Sequence, residues 1–243
     1  MRFVHIALMG HEEDRIIEGI RRYPANKLIL IRNRIEYLKD DYLNKIETET
    51  EKYQKKILEK IGQIIPFEIK HADFIDFING YEDMLEIILP EIFNDQTVIV
   101  NVSGGTRVLA FAIFFISLIL PIRSFYIIPE KYEEPPKGAK RFIKIPRANI
   151  PIPKDVKKAI IKILYRQKNK TFQSVSNLTE EYNELYKKNL TVYNIFYHLK
   201  FLEAQEMVSL ERKGRKSEIK LLEYGELMGI YFLKHERFEK ERI

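Results

Sequence analysis

Strand-like and helix-like segments alternate along the first 128 residues, and this alternation constrains the fold of the 243-residue chain more than any other feature. Apolar, β-branched segments predict five strands, at Phe3–Met9, Lys27–Arg32, Pro66–Ala72, Thr97–Val102 and Ser124–Ile128. Amphipathic or apolar segments between them predict four helices, at Glu12–Tyr23, Asp41–Ile61, Gly80–Phe93 and Thr106–Leu120. Such alternation predicts an α/β domain with a parallel sheet covered by helices on both faces. Arg141–Ile145 is a candidate edge strand of the same sheet.

The heptapeptide Asn101–Arg107 (Asn-Val-Ser-Gly-Gly-Thr-Arg) joins the fourth predicted strand to its helix. In open parallel sheets ligands bind beyond the carboxyl ends of the strands. Glycines there let a ligand approach the backbone N–H groups at a helix N-terminus. Arg107 falls in the first helical turn, where the helix dipole disfavours a cation unless an anion is bound. The turn is therefore a candidate phosphate site, and equally a plain connector with Thr106 near the helix cap.

The first strand-to-helix loop, Met9-Gly10-His11, ends at the same edge of the predicted sheet. It could present the backbone of Gly10 and the side chain of His11 to the same pocket. The acidic residues that follow it are typical of a helix N-terminus, which they stabilise.

The second half of the chain is predicted to form a separate basic domain. Six of the ten prolines lie between Pro129 and Pro153, so we place the boundary at residues 147–154. Three helices are then predicted, at Asp155–Gln167, Ser174–Tyr186 and Thr191–Glu206, followed by two strands, Val208–Arg212 and Ser217–Leu222, and a last helix, Glu226–Glu241. Three helices followed by a hairpin predict a winged helix-turn-helix over residues 155–243.

Net charge and residue usage limit the classes of function. Residues 1–150 carry 22 basic and 22 acidic side chains, whereas residues 151–243 carry 19 basic and 13 acidic ones. This asymmetry points to a polyanion as the partner of the second half, and the alternative is a solvated basic surface. The absence of cysteine excludes disulfides and thiolate metal sites. The five histidines lack metal-ligand spacing, so no metal cofactor is expected.

Other motifs and targeting signals are not evident in the sequence. Neither a Walker A loop nor a G-x-G-x-x-G fingerprint occurs, which disfavours ATP hydrolysis and dinucleotide redox chemistry. The longest apolar run, Val108–Ile122, has 15 residues, too few to span a bilayer. The N-terminus lacks a signal-peptide layout, so we expect a cytoplasmic protein. High Ile, Lys and Glu usage suggests a thermophilic source.

A fourth strand ending in Asn-Val-Ser-Gly-Gly-Thr-Arg resembles the signature of CARF domains, the CRISPR-associated Rossmann-fold sensors of antiviral defence. The resemblance covers residues 1–146, and its pairing with a winged helix is similar to the CARF-containing transcriptional regulators, chiefly archaeal ones. It implies a Rossmann-like sheet and a symmetric homodimer that binds a cyclic oligoadenylate, foremost cyclic tetra-adenylate, across its two-fold axis. The ligand contacts that it implies are Met9, Gly10, His11, Asn101, Ser103, Gly104, Gly105, Thr106 and Arg107.

The predicted third helix of the basic domain is the candidate recognition helix for double-stranded DNA. The stripe of Val192, Ile195, Leu199 and Leu202 is expected to face the core, which turns the opposite positions outward. The candidate DNA-binding residues lie on that outer face, before the helix and around the hairpin tip: Lys187, Lys188, Thr191, Asn194, Tyr197, His198, Arg212, Lys213, Arg215 and Lys216. His198 could instead be a packed helix residue, and the hairpin tip a solvated turn.

Two other functions stay open from the sequence. Some CARF proteins cleave their own cyclic ligand, and in such a metal-independent ring nuclease Ser103, Thr106 and Arg107 would orient and neutralise the phosphate. No other catalytic residues are indicated. A winged helix can also bind protein, which would make the chain an adaptor.

Overall fold

The structure is a computed structural model, and it describes residues 2–11, 13–34, 41–133, 137–148, 150–214 and 216–242. The side chains of residues 41–44, 213 and 216 also lie outside the description. The chain divides into two compact units, Met1–Ile150 and Pro151–Glu241. Along the described ranges no helix is both long enough and apolar enough to cross a membrane.

The first unit is a mixed α/β fold built on a six-stranded, mostly parallel sheet. Its elements in chain order are β1 (Phe3–Leu8), α1 (Glu13–Arg22), β2 (Lys27–Asn33), α2 (Asp41–Ile61), β3 (Phe67–Ala72), α3 (Phe77–Phe93), β4 (Thr97–Asn101), α4 (Arg107–Ile119), β5 (Arg123–Ile128) and β6 (Arg141–Lys144). The predicted alternation and the edge strand are confirmed, and α3 begins three residues earlier than predicted. The reason is Asp76, whose side chain accepts a hydrogen bond from the Asn79 N–H and caps the helix.

The strand order β3-β2-β1-β4-β5-β6 reverses direction between β1 and β4. The pairs among β1 to β5 are parallel, and β6 joins β5 in an antiparallel pair. The central strands are buried on both faces because helices cover them, as in β4, where Val98–Asn101 are all buried. The loops after β1 and β4 therefore meet beside the strand-order reversal, where open α/β sheets form a ligand crevice.

The second unit has four helices and a three-stranded antiparallel sheet with order β7-β9-β8. Its elements are α5 (Asp155–Arg166), β7 (Thr171–Phe172), α6 (Val175–Tyr186), α7 (Val192–Ala204), β8 (Val208–Lys213), β9 (Lys216–Leu221) and α8 (Glu223–Glu241). The sequence analysis missed β7, which is too short to show a periodic pattern. Its two residues pair with Lys220 and Ile219 of β9.

Candidate functional site

The turn between β4 and α4 is constrained by two glycines. A Cβ on Gly104 would lie 2.3 Å from the Leu8 carbonyl oxygen and 3.1 Å from the Gly10 nitrogen. Gly105 has a φ of +71°, and a Cβ there would lie 3.0 Å from the Phe74 ring. The turn is thus packed against the loop after β1, which leaves no room for a side chain on Gly104, and any other residue at position 105 would be strained.

Two predicted contact residues, Asn101 and Ser103, are buried and hold the turn together. Asn101 Oδ1 accepts hydrogen bonds from the Ser103 N–H and hydroxyl, while its Nδ2 donates to the Arg15 carbonyl over 3.1 Å. Ser103 Oγ also accepts a 2.8 Å bond from the Ile127 N–H of β5. These side chains satisfy backbone groups, and their polar atoms are engaged inside the protein.

Thr106 is the N-cap of α4, as the connector interpretation anticipated. Its hydroxyl accepts a hydrogen bond from the Leu109 N–H over 3.3 Å and donates to the Phe74 carbonyl in the loop after β3. With the hydroxyls of Ser103 and Thr106 both engaged, the arrangement is unfavourable for the roles that a ring nuclease would give them.

A cavity of about 540 Å³ lies over the turn and includes backbone and side chains of Ser103–Arg107 in its wall. The rest of the wall comes from α1, the residue after β4, α4, the end of β5 and the segments beyond it: Arg15, Val102, Ala110, Phe111, Phe114, Tyr126, Pro129, Tyr132 and Ile145. The cavity therefore combines glycine backbone and two arginines with a broad apolar and aromatic surface. A ligand with anionic groups and flat rings suits such a wall.

Arg15 is a charged wall residue that the sequence analysis missed. It lies on the buried stripe of α1 with Ile16, Gly19 and Ile20, although arginine is seldom buried without a partner. Its Nη1 donates to the Ile127 carbonyl over 3.2 Å and to the Tyr126 hydroxyl over 3.3 Å. An arginine in phase with an apolar helical stripe was the available signal for a cation at the cavity.

Arg107 is the exposed cation of the cavity. It occupies the first turn of α4, and among the residues that the structure describes it has no ion-pair partner. Because a cation is disfavoured at a helix N-terminus, an anion bound in the cavity would be stabilised both by Arg107 and by relief of that repulsion.

The loop after β1 contributes to the turn through its backbone and does not line the cavity with its side chains. Met9 is buried in a core cluster with Ile16, Leu30 and Ile57. His11 lies against α2, where its Nε2 is 3.2 Å from the Ile46 carbonyl and its ring stacks on Tyr53. The implied ligand contacts through the Met9 and His11 side chains therefore find no geometric support, because Met9 is buried, His11 packs half-buried against α2, and neither lines the cavity.

His5 lies in β1 beside the residues that support the turn. Its imidazole, Asn101 and Phe125 surround the Cα of Gly19. Burial lowers the pKa of His5 from 6.5 to about 4, against a weaker opposing effect of its contact with the Tyr23 carbonyl. The ring is therefore neutral in the folded protein at physiological pH. No cluster of metal-binding side chains occurs along the described ranges.

In the second unit, the polar residues at the start of α7 are engaged in a capping box. Thr191 Oγ1 accepts from the Asn194 N–H over 3.2 Å, and Asn194 Oδ1 accepts from the Thr191 N–H over 3.1 Å. His198, expected to face outward, is partly buried, and its pKa is lowered by burial and by Lys157. Thr191, Asn194 and His198, which were predicted to contact DNA bases, thus make contacts within the unit itself.

The predicted core stripe of α7 is only partly correct. Ile195, Leu199 and Leu202 are buried, but Val192 is 44% exposed because no described element covers that side of the first turn. Several large side chains of α7 are also exposed: Tyr193, Phe196, Tyr197 and Phe201. This helix therefore presents an aromatic outer face, of which the sequence analysis had proposed only Tyr197 as a DNA contact.

Candidate phosphate-binding cations of the second unit lie before α7 and on the hairpin. Lys187 and Lys188 are exposed in the turn from α6, which Asn183 fixes through two 2.9 Å hydrogen bonds to Leu190. Arg212 is exposed near the end of β8, and its Nε donates to the Gly214 carbonyl over 3.3 Å. Arg215 and the side chains of Lys213 and Lys216 lie outside the described residues.

A profile of the protein family described as "HFX_2341_N:-like, N-terminal" matches residues 3–132. That stretch contains the glycine turn, Arg15 and most of the cavity wall. A comparison with curated proteins finds no match.

The solved structures found by comparison are only remotely similar to this chain. Can2 from Sulfobacillus thermosulfidooxidans in complex with cyclic tetra-adenylate is 12% identical with a TM-score of 0.39, over 97% of this chain and 65% of that one. Csm6 from Enterococcus italicus, bound to cyclic hexa-2'-fluoro-hexa-dAMP, is 14% identical with a TM-score of 0.43, over 84% and 55%. A type III CRISPR defence DNA nuclease activated by cyclic oligoadenylate is 9% identical with a TM-score of 0.43, over 91% and 37%. The chain spans less than two thirds of each, and likenesses this remote carry no argument about function.

Proposed function

The chain belongs to the family described as "HFX_2341_N:-like, N-terminal", and from that premise we propose that it is a ligand-responsive, CARF-like transcriptional regulator. Its first unit binds a cyclic oligoadenylate, foremost cyclic tetra-adenylate, as a homodimer. Its second unit is a winged helix-turn-helix that binds double-stranded DNA.

The observation that carries the ligand proposal is the cavity over the β4–α4 turn. Gly104 and Gly105 bring the backbone of the turn to its wall, and Arg15 and Arg107 supply two guanidinium groups. Arginine binds phosphate through paired, charge-assisted hydrogen bonds. Tyr126 also lines the wall, and its ring provides a surface on which an adenine can stack. A ligand with several phosphates and adenines matches this combination better than a free inorganic anion.

The homodimer is supported by apolar side chains beside the same cavity. Phe111 is 65% exposed and Phe114 is 38% exposed on α4, and both line the cavity. Exposed phenylalanines grouped next to an open pocket mark an interaction site. A second copy packed here would cover the rings and double the number of arginines facing one cyclic ligand, as two-fold symmetry requires.

The DNA-binding proposal rests on the order of elements and charges in the second unit. The helices α5, α6 and α7 precede the β8–β9 hairpin, which is the arrangement of a winged helix. The exposed Lys187 and Lys188 lie before α7, and Arg212 lies on the hairpin. These cations suit contacts to DNA phosphates on either side of an inserted helix.

The ligand half is tested by titrating full-length protein with cyclic tetra-adenylate and measuring the heat of binding. We expect Arg107→Ala to weaken binding about 10- to 100-fold, because a charge-assisted contact contributes about 1.5–3 kcal/mol. Arg123→Ala is the matched control, since Arg123 is an exposed arginine at the opposite end of β5. Equal affinities of the two variants would contradict the assignment of the site.

The regulatory half is tested by titrating labelled promoter DNA with and without the cyclic ligand. Ligand and DNA must change each other's affinity by the same factor if the two sites are coupled. Unchanged DNA affinity at saturating ligand would contradict ligand control of DNA binding and leave two independent binding functions. Linear products from cyclic tetra-adenylate would instead reveal ring nuclease activity.

A further inference from the structure

The outer face of α7 is aromatic and has no net charge. Tyr193 is 77% exposed and Tyr197, one helical turn later, is 68% exposed, with Phe196 and Phe201 also exposed. The two ionic side chains of the helix, Lys200 and Glu203, pair over 2.6 Å and neutralise each other. An exposed group of large rings on one helix face marks a surface that binds something.

The small polar groups of α7 are poorly placed to read bases by hydrogen bonding. Thr191 and Asn194 form the capping box, in which the Thr191 hydroxyl also donates to Asn194 Oδ1 over 2.7 Å. His198 is partly buried. Of the residue types that bind guanine or adenine through paired hydrogen bonds, the helix has only Asn194, which is in the capping box, and Lys200, which pairs with Glu203. The rings of Tyr193 and Tyr197 are therefore the principal groups that α7 offers to a partner.

The surroundings of this face favour a nucleic acid over a protein. Lys187 and Lys188 are exposed immediately before the helix. At the other end, Lys157 Nζ lies 4.5 Å from the centre of the Phe201 ring. A neutral apolar strip between cations complements a major groove, in which thymine methyl groups lie among the base edges between two lines of phosphates.

We propose, resting on the DNA-binding function proposed above, that the Tyr193–Tyr197 face of α7 recognises thymine C5-methyl groups in the major groove. The thymine methyl is the apolar group that this groove presents, and aromatic side chains contact it favourably. Lys187 and Lys188 bind the adjacent phosphates and set the position of the helix without reading sequence. The preferred operator half-sites are therefore rich in thymine.

The test compares short duplexes that differ only in the methyl group. Full-length protein is titrated with alternating A·T duplex, the same duplex with uracil for thymine, alternating G·C duplex, and G·C duplex with 5-methylcytosine. We expect about fourfold weaker binding for each contacted methyl that uracil removes, because burying one methyl contributes about 0.8 kcal/mol. Methylating cytosine restores the methyl at the same groove position and should strengthen binding to the G·C duplex.

Variants separate the methyl contacts from phosphate contacts. Tyr193→Ala and Tyr197→Ala should bring the affinity for thymine duplex down toward that for uracil duplex, with an unchanged salt dependence. Lys188→Ala should weaken binding to both duplexes equally and reduce the salt slope by about one. Circular dichroism verifies folding, which truncation of exposed rings should not disturb.

Each outcome supports or overturns a defined statement. Equal affinity of the native protein for thymine and uracil duplexes overturns methyl recognition and leaves DNA binding intact. Failure to bind any duplex at low salt overturns the DNA-binding function itself. Full DNA affinity in a Tyr193→Ala, Tyr197→Ala double variant also overturns methyl recognition, because it shows that this face does not contact DNA.

Discussion

The glycine turn at Asn101–Arg107 and the start of α7 use their small polar side chains in the same way but leave different groups exposed. In the turn, Asn101 and Ser103 bond to backbone groups and the Thr106 hydroxyl caps a helix. At the start of α7, Thr191 and Asn194 each accept a hydrogen bond from the backbone N–H of the other in a capping box. The large side chains that stay exposed are a cation, Arg107, in the first region and the rings of Tyr193 and Tyr197 in the second.

This difference separates the chemistry of the two regions. Short polar side chains reach only the nearby backbone, so their polar atoms readily form hydrogen bonds in helix caps and turns. Longer side chains extend past the backbone and remain available to a partner. The turn can thus attract an anion through charge, whereas α7 can form apolar contacts and relies on neighbouring lysines for attraction to a polyanion.

The turn should be the less tolerant of the two regions toward added volume. Gly104→Ala would place a Cβ 2.3 Å from the Leu8 carbonyl oxygen, and since both are backbone positions the strands must shift. We expect the free energy of unfolding of the first unit to fall by more than about 3 kcal/mol, measured by urea denaturation. Gly138→Ala, whose Cβ would meet only the flexible Glu130 side chain, should cost about 1 kcal/mol from its positive φ. Equal losses in the two variants would show that the turn can relax.

A histidine near each region has a lowered pKa, and His5 should dominate the response to acid. The folded protein keeps His5 neutral to about pH 4, whereas the unfolded chain binds the proton near pH 6.5. This contribution to stability is fully present above about pH 6.5 and is lost between pH 6.5 and 4, by about 3 kcal/mol. The free energy of unfolding, measured by urea denaturation, should change less with pH in this range for His5→Leu than for the native protein. An equally steep pH dependence in the variant would contradict the assignment of this effect to His5.

Removing the Ser103 hydroxyl should lower the stability of the fold, and any effect on ligand affinity should follow from that loss. Ser103→Ala leaves the buried Ile127 N–H without its acceptor. We therefore expect the free energy of opening of the β4 and β5 amides, measured by hydrogen exchange, to fall by about 2 kcal/mol. Ser124→Ala is the matched control, because the buried Ser124 hydroxyl has no hydrogen-bond partner within the described part of the chain. A large loss of cyclic tetra-adenylate affinity at unchanged stability would instead give Ser103 a direct ligand contact.

The smallest effect is expected at the cap of α7. Thr191→Ala should lower the protection of the α7 amides against hydrogen exchange by about 1 kcal/mol, because one N-cap hydrogen bond is lost. Thr191→Ser keeps the hydroxyl and should behave like the native protein. If Thr191→Ala weakened DNA binding without loosening the helix, Thr191 would be a base reader, and the contrast between the two regions would disappear.

The sequence by itself determined every element of the two units except the two-residue strand β7, and it also determined the position of the glycine turn. Periods of apolar residues and turn signals are local, so the bounds of α2, for example, follow from Asp41–Ile61 alone. The alternation of strands and helices likewise fixed a mostly parallel sheet, whose strand ends bring loops to one edge.

Only the tertiary structure decided which side chains are available at that edge. The Ser103 hydroxyl is engaged because Ile127 of β5, which is 24 residues later in the chain, places its N–H next to the turn. Arg15 joins the cavity because α1 packs next to β5, and Met9 leaves it because the core cluster takes its side chain. Hydrogen-bond partners and burial depend on residues distant in sequence, and the periodicity of a segment carries no information about them.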